Sequence, residues 1–174
     1  MKRLVLIPAL LAAMALGGCA VHIPHEEMTP IALDVARPHP QSVTVTTLPK
    51  PGADPAAAST VAAMTELRTA LDESIRGYKV FAGVKPEGGD YRLSVQVREV
   101  ATPAFAIAFT STVTLDWTLA RAGGAVVWRE TIATDYTVGG DEAFVGTERQ
   151  RMSIAGAVRK NIGMGLQRIG ALAL

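Results

Sequence analysis

The sequence has few of the side chains on which most catalytic and metal centres depend. It contains one cysteine, Cys19, and its three histidines all lie within the first 39 of its 174 residues. The single cysteine excludes a disulfide within the chain. Because no histidine or further cysteine follows residue 39, Ser-His-Asp and Cys-His catalytic arrangements are excluded from the remainder of the chain. No acidic or basic run occurs, so neither nucleic acid nor an anionic membrane surface is indicated as a partner.

The N-terminus has the features of a secretory signal, which we place at residues 1–18. Lys2 and Arg3 precede an apolar stretch, residues 4–16, that is shorter than the roughly 20 apolar residues a membrane-spanning helix needs. The stretch ends in Leu16-Gly17-Gly18-Cys19, which resembles the bacterial lipobox. This resemblance implies cleavage after Gly18 and acylation of Cys19 by diacylglycerol and an N-linked fatty acid such as palmitate. The alternative is an ordinary signal peptide with an incidental cysteine, which leaves the only thiol of the chain without a use.

The lipid on Cys19 is the one membrane attachment that the sequence predicts, and we expect no other cofactor. Each buried methylene contributes about 0.8 kcal/mol, so two or three acyl chains hold a protein on a bilayer essentially permanently. In bacterial lipoproteins an aspartate after the cysteine favours retention in the inner membrane, and Ala20 and Val21 carry no such signal. The resemblance therefore implies the periplasmic face of the outer membrane.

Residues 19–41 are predicted to be a proline-rich tether that follows the lipid anchor. Prolines at positions 24, 30, 38 and 40, without sustained hydrophobic periodicity, are typical of an extended segment that cannot fold alone. His22, His25, Glu26 and Glu27 offer ligands that suit zinc or copper. The other interpretation is a solvated linker, in which nothing holds these side chains in a fixed geometry. We expect the linker, and therefore no metal site.

Residues 42–174 are predicted to form a single periplasmic α+β domain. Alternating apolar and polar residues predict strands at 42–48, 91–98, 105–120 and 126–138, the last two joined by a turn at Gly123-Gly124. Apolar residues three and four apart predict helices from Asp54-Pro55 to Gly77 and from Thr147 to Leu172. We predict a two-layer sandwich in which two helices pack on one face of an antiparallel sheet of about four strands. The covered face is the one that carries Trp117 and Trp128.

The strand predicted at 105–120 is too long for the domain that contains it. At about 3.3 Å per residue it would extend roughly 50 Å, whereas a compact domain of this size has a radius of gyration of only about 14 Å. The hairpin must therefore coil, contain a bulge, or project beyond the helices.

The order of strand, helix, antiparallel strands and helix, after a lipobox and a proline-rich tether, resembles small envelope lipoproteins of the YajG-like kind. It is also similar in layout to the lipopolysaccharide-assembly lipoprotein and to auxiliary lipoproteins of lipid-transporting ABC systems. This resemblance implies assistance to an envelope assembly or transport machine, and it carries over no catalytic residue.

Two pairs of adjacent carboxylates are the remaining candidates for acid–base chemistry, Asp72-Glu73 and Asp141-Glu142. Adjacent residues on a helix point apart, and acids near the start of a helix are common because they complement its dipole. The glycine pairs lack the lysine and the Ser/Thr of a phosphate loop. The chain is therefore predicted not to be an enzyme.

Two functions from different classes remain open. The first is an accessory or assembly factor of envelope biogenesis or transport that binds a protein partner. The second is a lipid- or glycolipid-binding module, for which a pocket lined by Phe105, Phe109 and Trp117 between the helices and the sheet is the expected site.

The partner contact is expected at Thr110 and Thr112, on the threonine-rich face of the long strand. The excess length of the hairpin leaves strand ends that the helices cannot cover, and exposed strand edges recruit partners by backbone hydrogen bonding. The alternative is an ordinary solvated sheet face, in which threonine is present for its β propensity. The sequence does not indicate the oligomeric state.

Overall fold

The computed structural model describes residues 22–174, which form three helices and five strands. In chain order these are α1 (His25–Met28), β1 (His39–Leu48), α2 (Ala58–Gly77), β2 (Phe81–Val84), β3 (Tyr91–Ala101), β4 (Phe109–Arg121), β5 (Val126–Val138) and α3 (Gly146–Ala171).

The strands form one mixed sheet in the order β2-β1-β3-β4-β5. Strand β1 runs parallel to both β2 and β3, whereas β3, β4 and β5 are antiparallel neighbours. The α+β class is confirmed, and β3, β4 and β5 are antiparallel as predicted. The sheet differs from the prediction in having five strands instead of about four and in the parallel pairing of β1 with both of its neighbours. Strand β2 was missed because its four residues are too few to show an alternation.

The core lies between one face of the sheet and the helices, as predicted. Every second residue of β4 from Phe109 to Leu119 is buried, and the intervening side chains are partly or fully exposed. This period of two results from the pleat of a strand that has one face against helices and one against water. Helix α2 packs on β1 and β2, and α3 packs on β4 and β5. The two helices therefore divide the sheet between them.

A polar link inside the core fixes α3 on the sheet. Trp117 is fully buried, and its indole N–H donates a hydrogen bond of 2.9 Å to Oδ1 of Asn161. The amide nitrogen of Asn161 donates in turn to the backbone oxygen of Ile132 at 2.8 Å. The ring of Trp117 lies directly against Gly165, where an added Cβ would be 2.4 Å from Cζ2. The expected covering of the tryptophan face by helices is confirmed, although Trp128 remains partly exposed.

The long strand is shorter than its sequence pattern indicated. Strand β4 begins at Phe109, and the preceding Phe105 and Ile107 lie in a loop, 94% and 86% exposed. Phe109 pairs with Val138, the last residue of β5, so no partner strand extends far enough to continue the ladder. Two register shifts also occur, between Val97 and Glu99 in β3 and at the Leu119–Ala120 step of β4.

The start of the second helix also differs from the prediction. Asp54 Oδ1 accepts a hydrogen bond from the Ala56 backbone N–H at 2.9 Å, which closes a turn, and α2 begins only at Ala58. The aspartate therefore caps a turn that precedes the helix, four residues before the helix itself. The end at Gly77 is as predicted.

The segment 22–41, expected to be an extended tether, packs on the domain. Met28 of α1 is buried in the core, and the Tyr78 hydroxyl donates to the Pro30 backbone oxygen at 2.8 Å. His39 is buried within β1, and its Nε2 donates to the backbone oxygen of Ile169 at 2.9 Å. These partners lie 48 and 130 residues away in the sequence, so local composition carried no sign of them.

Candidate functional site

An apolar cavity of about 480 Å³ lies between the first half of α2, the sheet and the start of α3. Its walls are aliphatic or methionine side chains almost throughout, and its few polar groups lie on the first residues of the described chain, on the segment after β1 and on the first turn of α2. It is lined by His22, Ile23, Met28, Pro49, Lys50, Ala53, Ser59, Thr60, Ala62, Ala63, Met64, Leu67, Val97, Val100, Val113, Leu115, Ile154 and Val158.

A β-bulge directs two valines of β3 into this cavity. Residues of a regular strand alternate between faces, so Val97 and Val100, three apart, would point to opposite sides of the sheet. The register shift after Val97 adds one residue to β3, which brings Val100 opposite Val113 on the covered face. Both valines line the cavity. The spacing of two large aliphatic residues three apart at the end of a strand was the sequence signal for this site.

The cavity is present because β3, and β4 paired with it, extend beyond the end of strand β1, the other neighbour of β3. The last residue of β1, Leu48, pairs with Gln96, whereas β3 continues to Ala101. Helix α2 packs on β1 and β2, not on this extension, and α3 is centred on β4 and β5. A region of the inner sheet face therefore lies between two helices without being filled by either. Of the three outcomes expected for the β4–β5 hairpin, a bulge is confirmed by the register shift at Leu119–Ala120.

The pocket expected from Phe105, Phe109 and Trp117 does not form. Phe105 lies in an exposed loop, and Phe109 is buried with the guanidinium of Arg149 5.7 Å from its ring centroid. Trp117 is covered by Gly165 of α3. The apolar site between helices and sheet exists, but it is built from aliphatic residues of α2, β3, β4 and α3.

A cluster of ionisable groups fastens α1 to α2 next to the cavity. His25 Nδ1 lies 2.9 Å from Glu66 Oε2, and the His25 backbone N–H donates to the same oxygen at 2.9 Å. The hydrogen bond to Glu66 raises the pKa of His25, and the charges of Glu26 and Glu73 act in the same direction. The same bond from His25 lowers the pKa of Glu66. The imidazolium–carboxylate pair is therefore favoured over a wider pH range than in the unfolded chain.

The four residues considered for a metal site do not converge on one point, although His25 Nε2 lies 3.5 Å from Glu26 Oε1. His25 turns to Glu66, whereas Glu27 pairs with Arg151 of α3 and its backbone oxygen accepts a hydrogen bond of 2.8 Å from Arg159. Within residues 22–174, no three or more His, Cys, Asp or Glu side chains are grouped so as to hold a metal ion.

The adjacent carboxylate pair on α2 is also divided between separate partners. Asp72 Oδ2 lies 3.8 Å from Nε of Arg68, and Glu73 Oε1 lies 3.4 Å from Nε2 of His25. In the other pair, Glu142 Oε1 accepts a hydrogen bond from the Gly139 backbone N–H at 2.8 Å, which closes the loop before α3.

Thr110 and Thr112 lie at the start of β4, on the face of the sheet that the helices leave open. Thr110 Oγ1 is 2.9 Å from Thr137 Oγ1, and Thr112 Oγ1 donates to Asp135 Oδ1 at 2.7 Å. The neighbouring strand β5 ends the sheet, so the outer backbone edge of Val126–Val138 is free of a partner strand in the described chain. The role of the two threonines in partner binding stays a prediction.

The lipobox residues Leu16, Gly17, Gly18 and Cys19 lie outside the described residues. Between His22 and Leu174, none of the helices combines the length and the apolar character required to cross a membrane.

Comparisons with known proteins identify the fold. No protein-family model matches the sequence, and a search of curated proteins finds no relative. A Xanthomonas campestris protein of family DUF330 superposes with a TM-score of 0.56 at 12% identity, over 79% of this chain and 91% of the other. A hypothetical protein from Chlamydia trachomatis superposes with a TM-score of 0.51 at 6% identity, over 76% of this chain and 99% of the other. At these identities the similarity concerns the fold alone.

Proposed function

We propose that the chain is a non-enzymatic lipoprotein, anchored through Cys19 on the periplasmic face of the outer membrane, that binds an acyl chain of a lipid. The observation that carries this proposal is the apolar cavity between α2, α3 and the extension of β3 and β4. Of the two functions open from the sequence, lipid binding is the one for which this cavity provides a site.

The size and lining of the cavity match this ligand. Ligand sites commonly enclose about 300–1,000 Å³ and are mostly apolar, with a few polar groups that fix orientation. The cavity volume of about 480 Å³ lies within that range. Each methylene moved from water into such a site contributes about 0.8 kcal/mol. An unbranched chain also needs no hydrogen-bond partner, and the aliphatic part of the walls offers none.

The polar groups of the lining suit a lipid headgroup. Lys50 and Ser59 are exposed, and they lie on the segment after β1 and on the first turn of α2. An ammonium group there complements the carboxylate of a fatty acid or the phosphate of a phospholipid. The bound chain would therefore lie along Val97, Val100 and Val113, with its head at the rim. The resemblance of the sequence layout to auxiliary lipoproteins of lipid transport supports a role in the movement or assembly of envelope lipids.

The test is photo-crosslinking in cells from inside the cavity. A benzophenone amino acid replaces Val100, which lines the cavity, and in a control protein it replaces Glu87, an exposed residue of the turn between β2 and β3. After irradiation, the modified peptides are identified by mass spectrometry. We expect a lipid adduct at position 100 and none at position 87.

The mass of the adduct identifies the source of the acyl chain. A phospholipid or fatty-acid mass indicates a lipid taken from the membrane, whereas a crosslink to the peptide that contains Cys19 indicates the chain of the protein's own anchor. Equal and low lipid labelling at positions 100 and 87 would refute the proposal.

A second candidate function, binding of a protein partner, is supported by the free edge of β5. That edge is 13 residues long, and a strand that ends a sheet presents unpaired backbone donors and acceptors to a partner strand. Replacement of both Thr110 and Thr112 by Glu would place two carboxylates beside Asp135 at one end of this edge. We expect the double variant to lose crosslinking to its partner in cells while its melting temperature changes little. Unchanged crosslinking in the folded double variant would place the contact elsewhere.

A further inference from the structure

Four large apolar side chains are exposed on two neighbouring loops. Phe105 and Ile107 lie in the loop between β3 and β4, 94% and 86% exposed, and Phe144 and Val145 lie between β5 and α3, 100% and 62% exposed. A Cβ on Gly140 would lie 3.5 Å from Ile107 Cγ2, so the two loops are in contact. We call these four residues the apolar tip. Single exposed apolar residues are ordinary, but a group of them on adjoining loops is uncommon on monomeric proteins and marks contacts with proteins or membranes.

The composition of these loops suits an apolar medium better than a charged surface. Residues 102–108, Thr-Pro-Ala-Phe-Ala-Ile-Ala, contain no charged side chain. Residues 139–145 contain Asp141 and Glu142 but no lysine or arginine. The guanidinium of Arg149 lies at this loop, where it donates to the backbone oxygens of Ala143 and Phe144 at 2.6 and 3.1 Å. The carboxylates of Asp141 and Glu142 offset this one cation, so the loops carry no excess of positive charge. Insertion of the apolar side chains is therefore the main contribution to membrane binding.

The position of the tip in the fold connects it to the membrane anchor. The tip lies at the end of the domain where β1 and β3 end and where α2, β4 and α3 begin. The cavity lies at the same end, because Pro49, Val100 and Ile154 belong to its lining. His22 also lines the cavity, and only two residues, Ala20 and Val21, separate it from Cys19. At about 3.3–3.6 Å per residue, the three residue steps from His22 to Cys19 span at most roughly 11 Å.

We propose that the apolar tip inserts into the lipid leaflet that holds the Cys19 acyl chains, so that the cavity opens towards the bilayer. This inference rests on the anchor at Cys19 and deepens the proposed function, because a lipid could then enter the cavity without crossing water. The short connection to Cys19 keeps this end of the domain at the membrane surface. Side chains that anchor proteins at an interface reach about 5–10 Å into the bilayer, a depth that exposed loop residues can reach without a change in the fold.

The test measures the depth of single positions in the membrane-bound protein. The variants Phe105→Cys and Phe144→Cys each introduce one thiol, since acylation blocks Cys19, and each is labelled with an environment-sensitive dye. The control Ala122→Cys carries the dye in the exposed turn at the opposite end of the β4–β5 hairpin. The full-length, processed proteins are reconstituted into neutral phosphatidylcholine vesicles. Part of the phosphatidylcholine carries a nitroxide on its acyl chain.

We expect the nitroxide lipid to remove most of the emission at positions 105 and 144 and little at position 122. Replacing neutral lipid by anionic phosphatidylglycerol should leave this difference unchanged. Emission at positions 105 and 144 that responds only to a water-soluble quencher would overturn the proposal. A blue-shifted emission without quenching by the nitroxide lipid would also overturn it, because it would indicate a contact with protein.

Failure of the proposed function gives different signals. Dye labelling of the unsubstituted protein would reveal a free Cys19 and therefore no anchor. A membrane-inserted tip without a lipid adduct at position 100 would refute lipid binding in the cavity and leave the orientation of the domain intact.

Discussion

The packing of α3 on the sheet leads to a prediction for two glycines of one helix. Gly165 lies against the indole of Trp117, where a Cβ would be 2.4 Å from Cζ2 and 2.6 Å from Cε2 and Cη2. Optimal contacts between carbon atoms are about 3.5–4.0 Å, so Gly165→Ala requires a shift of roughly 1 Å or more. Gly163 lies two positions earlier, and the nearest atom to its added Cβ is Cγ of Pro30 at 3.9 Å, an ordinary contact.

The magnitude is estimated from two opposing contributions. Alanine is favoured over glycine within a helix by about 1 kcal/mol, and this gain applies to both positions. At Gly165 the ring of Trp117 cannot move freely, because it is fully buried and hydrogen-bonded to Asn161 at 2.9 Å. Overpacking of this kind costs about 1–3 kcal/mol, and weakening the indole hydrogen bond adds about 1 kcal/mol. We expect Gly165→Ala to destabilise the domain by about 2 kcal/mol net, and Gly163→Ala to stabilise it by up to about 1 kcal/mol.

The assay is thermal unfolding of a chain that begins at Ala20, since residues 22–41 contribute contacts to the domain. For a domain of this length, 1 kcal/mol corresponds to about 2–4 °C, so Gly165→Ala should lower the melting temperature by about 4–8 °C. Gly163→Ala should raise it slightly. Equal effects of the two substitutions would contradict the close approach of α3 to Trp117.

Three further predictions concern the core, the α1–α2 contact and the anchor. Trp117→Ala should lower the free energy of unfolding in urea by about 3–5 kcal/mol, and Trp128→Ala, at a partly exposed residue, by only about 1–3 kcal/mol. Equal losses would contradict the difference in burial. The raised pKa of His25 means that its contribution to stability is complete below its ordinary value of 6.5 and is lost as the pH rises through the folded value. The lowered pKa of Glu66 means that the contribution of Glu66 to stability is lost only at acidic pH. His25→Gln should therefore lower the free energy of unfolding more at about pH 6 than at about pH 9. An equal loss of stability at the two pH values would argue against the His25–Glu66 pair. Cys19→Ser should abolish labelling by palmitate and release the protein from the membrane fraction, and continued labelling would exclude acylation at this residue.

Most helices and strands of the domain were predictable because each has the hydrophobic periodicity of its own type of secondary structure. The alternation around Val95 and the spacing of Leu67, Leu71 and Ile75 each report a face turned to the core, and the structure buries all four residues. Such patterns need no knowledge of the rest of the chain. The alternation of apolar and polar residues continues through Phe105 and Ile107, so the sequence predicted a strand there, and that prediction is wrong. Strand β4 begins where its pairing with β5 begins, at Phe109, and alternation alone does not reveal that point.

The contacts that build the site were not predictable, because they join residues distant in sequence. His25 and Glu66 are 41 residues apart, and nothing near His25 indicates that a helix supplies its partner. The cavity exists because β1 ends before β3 does and because α2 lies over β1 and β2. The sequence pattern of a single strand shows neither of these relations between elements. The spacing of Val97 and Val100 indicates a bulge, but only the pairing of Val100 with Val113 shows that the bulge turns Val100 inward.

The measurement that tests the central claim most directly is native mass spectrometry of the chain from Ala20, exported to the periplasm and purified without detergent. A cavity built for an acyl chain should retain about one lipid per protein. Ala63→Phe adds a ring to a residue that lines the cavity, whereas Ala58→Phe adds the same ring to an exposed residue of α2 outside the lining. We expect the bound lipid in the unsubstituted chain and in Ala58→Phe, and its loss in Ala63→Phe. An unsubstituted chain without lipid, or a lipid that Ala63→Phe retains in full, would contradict acyl-chain binding in this cavity.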